Sequence, residues 1–122
     1  MSGVSTRLLG RWGEALIADA LRRKGYRILA AGYQCRFGEI DLIAADDKYI
    51  IFTEVKLRKN DHFAPGRVFV DARKQARIRT TAEIYLMENP TLLQPRFDVA
   101  EVYAQQGMET KNPRIVYFPN AF

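Results

Sequence analysis

Residues 38–56, GEIDLIAADDKYIIFTEVK, carry the pattern that decides the fold. β-branched and aromatic residues dominate two runs, 38–45 and 49–57, and Asp46, Asp47 and Lys48 break them where a hairpin needs its turn. The second run is apolar on both faces. Ile50 and Phe52 lie on one side, Tyr49, Ile51 and Val55 on the other, as in a strand central to its sheet. Three ionisable residues interrupt this pattern. Glu54 and Lys56 share the face of Ile50 and Phe52, and Asp41 sits between Ile40 and Leu42.

Register decides whether these charges meet. With Asp46 paired to Tyr49, Asp41 falls opposite Glu54, their Cβ atoms about 5 Å apart. A slip of one residue sends Asp41 to the other face, so the loop is expected to have an even length, two or four residues. Two carboxylates so placed repel by roughly 4 kcal/mol at a separation of about 4 Å and an effective dielectric of about 20. Lys56 offsets part of this, and a divalent cation offsets more. No histidine or cysteine lies close to the cluster in sequence, and an all-oxygen site suits a hard cation, Mg²⁺ or Mn²⁺. An acid followed by acid-x-lysine on adjacent strands suits phosphodiester hydrolysis. The cation polarises the phosphate and lowers the pKa of a bound water; the lysine orients that water or neutralises charge developing on the phosphate. An ordinary strand-end ion-pair cluster accounts for the same spacing equally well.

Upstream, Ser5 or Thr6 caps a first helix predicted to run to about Lys24, with Gly25 as its stop. Leu9, Trp12, Leu16 and Ala20 mark an apolar stripe, with Leu8 and Ala15 beside it. Glu14 is out of place for a solvated residue. Ile17, Ala18 and Leu21 follow it at helical spacing and share its face, so its carboxylate is at least partly buried, with a raised pKa unless a cation compensates. A glutamate at the rim of the apolar face, reaching to water, fits the pattern too. Residues 26–37 read as an extended segment in two pieces, pairing antiparallel with 38–45. Arg36, just before the acidic strand, is either a phosphate contact or an exposed strand-end arginine.

Downstream, residues 57–70 read as a loop that leaves from Lys56 and overhangs the site, with Arg58, Lys59, His62 and Arg67 on it and a turn at Pro65-Gly66. His62 is the lone histidine; a lone loop histidine is usually just solvated, with a catalytic or phosphate-binding role as the alternative. Asp71 caps a second helix, Ala72 to Glu88, which Pro90 ends, with Ile78, Ala82, Tyr85 and Leu86 on the core face. Arg73, Lys74, Arg77 and Arg79 crowd its first two turns. From Lys56 to Arg79 eight basic residues stand against two acidic ones; a solvated basic helix is the default reading, and its position just after the Glu-x-Lys strand favours a face that tracks phosphates. Residues 95–103 and 114–118 read as two further strands. Asp98, far along the chain from the hairpin, reads as structural.

A chain of 122 residues with 48% apolar content is one domain, 1–122, with a real core. A net charge of +5 and a pI of about 9.6 favour a polyanionic partner. The single cysteine, Cys35, rules out an intrachain disulfide and fits a reducing cytoplasm. No signal-peptide core and no long apolar run is present, so no membrane partner is expected.

The chain resembles the YraN-like family of predicted endonucleases in the restriction-endonuclease-like, PD-(D/E)XK superfamily, which is similar to archaeal Holliday-junction resolvases. The matching features are Gly13-Glu14, residues 38–44 (GEIDLIA), Glu54-Val55-Lys56, Lys74-Gln75, residues 96–99 (RFDV) and the closing Asn120-Ala121-Phe122. GEIDLIA followed ten residues after its last alanine by Glu-Val-Lys is far more specific than Glu-x-Lys alone. Ile40 stands where the superfamily's name puts proline, and Gly32 and Gln34 stand where asparagine and arginine are expected. The resemblance implies a nuclease-type site completed by Glu14 from the first helix, with Lys74 and Gln75 nearest to it.

Taken together, the expected fold is α/β, a mixed, mainly antiparallel sheet of about five strands flanked by two helices. The expected function is a Mg²⁺- or Mn²⁺-dependent endonuclease on DNA, with branched or otherwise irregular structures as candidate substrates. Asp41, Glu54 and the Val55 carbonyl are the expected metal ligands, assisted by Glu14, and Lys56 is the water-activating or charge-neutralising group. Arg36, Arg58, Lys59, Arg67, Arg73, Lys74, Gln75 and Arg77 are the candidate phosphate contacts. A homodimer would suit a two-fold symmetric junction. Two other classes stay open: a non-catalytic nucleic-acid-binding module that retains the nuclease fold, and a protein-interaction domain whose basic face meets an acidic partner.

Overall fold

The structure, a computed structural model, describes residues 5–59 and 70–122. His62, Arg67 and the Pro65-Gly66 turn lie outside the described residues, as does most of the expected overhanging loop. The described residues form α1 (Thr6–Arg23), β1 (Arg27–Cys35), β2 (Gly38–Ala45), β3 (Tyr49–Arg58), α2 (Ala72–Glu88), β4 (Gln94–Tyr103), a short 3₁₀ turn (Gly107–Glu109) and β5 (Arg114–Phe118). The five strands make one sheet in the order β1-β2-β3-β4-β5. β3 is central, as its two-faced apolar pattern requires. All neighbours are antiparallel except β3 and β4, which run parallel. The segment between them contains α2, the crossover that a parallel pair needs. The architecture is the expected α/β fold.

The hairpin forms with the expected register. The Asp46 N–H donates to the Tyr49 carbonyl at 3.0 Å, leaving Asp47 and Lys48 as a two-residue loop. The Asp46 carboxylate accepts from the Lys48 and Tyr49 N–H groups at 2.9 and 2.8 Å and locks the turn.

The sheet separates two cores. On one face Leu42, Ala44, Ile51, Ala100 and Val102 pack against Ile17, Ala18 and Leu21 of α1. On the other, Ile40, Ile43, Ile50 and Phe52 pack against Ile78, Ala82 and Tyr85 of α2. Strict alternation would put Ile40 and Leu42 on one face; here they lie in opposite cores. The break falls at Asp41. Opposite it in β1, between the pairs Ala31–Leu42 and Tyr33–Ile40, is Gly32, whose φ of 72° is a left-handed conformation that glycine or asparagine takes most readily.

The face of α1 differs from the expected stripe. Its buried residues are Gly13, Ile17, Ala18 and Leu21, whereas Leu8 and Ala15 are exposed. Trp12 and Leu16 pack at the margin. Gly13 is the cause. A Cβ there would stand 3.2 Å from the Leu57 side chain, so the bare backbone lets the helix settle onto β3 about this turn.

Asp98 is fully buried and structural. Arg96 grips it through two hydrogen bonds of 2.9 and 2.8 Å, the Tyr117 hydroxyl donates at 2.6 Å and the Asn120 N–H at 2.8 Å. This ties β4, β5 and the C-terminal residues together. Phe122 then stacks on Phe97, with the Arg79 guanidinium over both rings.

Candidate functional site

The paired ladder of β2 and β3 ends at Leu42–Thr53. One step further, where the same register sets Asp41 opposite Glu54, the strands open. There the Val55 N–H donates to the Asp41 carboxylate at 2.8 Å. Val55 therefore enters the site through its backbone. Asp41 stands at the point where β2 changes face, so groups from both layers reach it. Glu54 comes from the α2 side of β3, buried, and Glu14 comes from α1 on the other side.

Glu39, two residues before Asp41, completes the cluster. One carboxylate oxygen from each of Glu14, Glu39 and Asp41 lies within 4.8 Å of the others. Glu54 borders the same ground but is held differently. Its carboxylate pairs with the Lys74 ammonium from α2 and with Lys56 at 3.7 Å. A small cleft of about 260 Å³ opens here, lined by Glu39, Asp41, Glu54, Lys74 and Arg77.

Electrostatics reflect the crowding. Burial first, and then the Glu54 charge, push the Asp41 carboxyl up to about 7, against the lowering effect of the Val55 N–H. Burial and then Glu39 raise Glu14, with Arg11 opposing them. Burial and then the Lys74 charge lower the Lys56 ammonium. Burial also pulls Lys74 down, but its hydrogen bond to Glu54, joined by the charges of Glu54 and Asp41, outweighs this and leaves it raised. The carboxylates are thus only partly compensated by the chain's own cations. An all-oxygen donor set with surplus negative charge is the chemistry that a hard divalent ion fits.

The candidate phosphate contacts separate. Lys74 and Arg77 line the cleft. Arg73 is exposed nearby in the first turn of α2, and Gln75 donates to the Val70 carbonyl at 3.0 Å. Arg36 is exposed at the tip of the β1–β2 hairpin, stacked on Phe37. Arg58 pairs with buried Glu101 at 3.3 Å, and Lys59 is exposed at the end of β3. Glu39 is the residue that the sequence reading passed over. Alternation alone would not have found it, because β2 changes face at Asp41, and Glu39 meets Asp41 across that break.

A family model described as Uncharacterised protein family UPF0102 matches residues 13–102. A UPF0102 protein of Caldanaerobacter subterraneus is 41% identical over 123 residues, covering 100% of both chains. One of Syntrophomonas wolfei is 37% identical over 117 residues, 95% of this chain and 98% of its own. One of Vibrio parahaemolyticus is 40% identical over 101 residues, 81% and 84% of the respective chains. The matched span contains Glu14, Glu39, Asp41, Glu54, Lys56, Lys74 and Arg77.

Proposed function

The chain belongs to the UPF0102 family, the YraN-like family that its motifs resemble, and from that premise we propose that it is a divalent-cation-dependent endonuclease acting on DNA. The observation that carries this reading is the convergence of Asp41, Glu54 and Glu14 beside Lys56, from both faces of the sheet, at a cleft rimmed by Lys74 and Arg77. Asp41 and Glu54, with the Val55 carbonyl, hold the cation; Glu14 and Glu39 supply further oxygens. A bound Mg²⁺ or Mn²⁺ supplies Lewis acidity to the phosphate and a more acidic water. Lys56, 3.7 Å from the Glu54 carboxylate, orients the water or neutralises charge developing at the phosphate. Lys74 keeps the Glu54 carboxylate in place, and Arg77 meets the substrate backbone at the rim.

The second reading, a binding module without turnover, draws on the Glu54 carboxylate itself. Two lysines of the chain already balance its charge. Cleavage assays on labelled duplex, single-stranded and four-way-junction DNA, with Mn²⁺, with Mg²⁺ and with chelator, separate the two. Under the nuclease reading, cutting needs the metal and falls by on the order of a hundred- to a thousandfold in Glu54→Ala, while DNA binding is largely kept. Equal cutting by the mutant removes the assignment, and binding without cutting on every substrate favours the module.

A further inference from the structure

A second, larger concavity of about 990 Å³ lies between α1 and the edge strand β1. Resting on the nuclease reading, we infer that this groove takes a single-stranded segment of nucleic acid. Arg7 and Arg11 meet its phosphates and lead it to the carboxylates. Arg7, Arg11 and Glu14 all line the groove, and their spacing places them on one helical face. At 1.5 Å per residue, Arg11 stands about 4.5 Å and Arg7 about 10.5 Å along the helix from Glu14. Both arginines are exposed, and neither is ion-paired among the described residues. Of the groove's acidic side chains, Glu14 feels the Arg11 charge without forming an ion pair with it. Asp19 pairs with Arg22 at 3.1 Å, and Glu14 and Glu39 belong to the carboxylate cluster. The floor is apolar, with Ala18, Ile28 and Leu42.

Two features select a single strand. The apolar floor is the first: the bases of an unpaired strand can splay onto Ala18, Ile28 and Leu42, whereas those of a duplex are stacked and paired inside the helix. The groove is also continuous with the site, because Glu39 lines both it and the cleft of Asp41, Glu54, Lys74 and Arg77. A strand lying in it passes from the arginines of α1, across the carboxylates, to the basic turn of α2. The substrate class this implies is nucleic acid with a displaced or unpaired strand.

The test is fluorescence anisotropy in chelator, so that no cutting occurs, with a labelled single strand and a labelled blunt duplex over a range of salt. The proteins are wild type, Arg7→Gln/Arg11→Gln and Arg7→Lys/Arg11→Lys, each checked by thermal melting. The glutamine pair is expected to bind the single strand at least about tenfold more weakly, with a salt slope shallower by about 1.4, the share of two phosphate contacts. Duplex affinity changes by less than about threefold, and the lysine pair restores binding. Unchanged single-strand affinity in the glutamine pair overturns the inference, as does an equal loss on both probes or a wild type that binds neither. Cleavage by the wild type without arginine dependence sinks the groove alone. Arginine-dependent binding by a protein that never cuts upholds the groove and sinks only the chemistry.

Discussion

Asp41 carries a carboxylate into a place where burial and three glutamates oppose its charge. Its pKa rises from the ordinary 3.8 to about 7. The folded protein therefore binds protons more tightly than the unfolded chain between these values. The stability that this protonation contributes is complete below pH 4 and is lost as pH rises through about 7, on the order of 4 kcal/mol across the window. Glu14, raised by burial and Glu39, acts in the same direction. Asp41→Asn removes the charge but keeps an oxygen to accept from the Val55 N–H. In the absence of metal it is expected to stabilise the protein at pH 8 by roughly 1–3 kcal/mol and to leave stability at pH 4 nearly unchanged; with metal present, the cleavage expected of the wild type is lost. Urea unfolding at the two pH values checks this. A variant less stable than wild type at pH 8 means that the charge is compensated within the chain. At this scale sequence and structure agree on Asp41 facing Glu54, because a two-residue turn leaves the register no freedom. Sequence could not show that Asp41 sits where β2 changes face. Gly32 is the one local mark of that break, and it lies on the neighbouring strand.

The elements were legible where periodicity is clean and obscure where small residues do the packing. α2 has the bounds and the Asp71 cap that its pattern implied, because Ile78, Ala82 and Tyr85 recur at helical spacing and Pro90 lies just beyond its end. α1 was placed but its face was misjudged. Large side chains drew the stripe toward Leu9 and Leu16, whereas the buried face is Gly13, Ile17, Ala18 and Leu21, the side on which Glu14 reads as partly buried, and Gly13 at its centre carries no hydrophobic signal. The two glycines of α1 then behave oppositely. Gly10 has open space where a Cβ would go, so Gly10→Ala gains helix propensity and stabilises by about 1 kcal/mol. Gly13 has Leu57 at 3.2 Å, so Gly13→Leu overpacks the seat, costs roughly 1–3 kcal/mol and shifts the neighbouring Glu14 away from the cluster. Melting temperatures with cleavage rates check the pair. A Gly13→Leu protein with wild-type stability and activity would show that close seating of α1 is not what delivers Glu14.

At the scale of the whole molecule, the sheet is a wall between two helical layers, and the site occupies the place where that wall opens. α1 brings Glu14 from one side and α2 brings Lys74 from the other, so the site's geometry depends on both cores being intact. The chain carries a net charge of +5, yet Asp41 sits among three glutamates. That contrast suits a protein that attracts a polyanion through its surface while reserving its carboxylates for a cation. No helix among the described residues is long and apolar enough to cross a membrane. If the carboxylates hold a cation only in the folded state, the cation stabilises the fold by mass action. A concentration one hundred times the dissociation constant adds about 2.7 kcal/mol, which for a domain of this size raises the melting temperature by about 10 °C. The shift is expected to grow from pH 5 to pH 8, because protonated Asp41 and Glu14 compete with the ion at the lower pH. Chelator reverses it, and Asp41→Asn removes most of it while starting from a higher metal-free baseline. A melting temperature that ignores Mg²⁺ and Mn²⁺ at pH 8, in a protein whose metal-free stability still falls between pH 4 and 7, would leave the carboxylates crowded for a reason other than holding a cation.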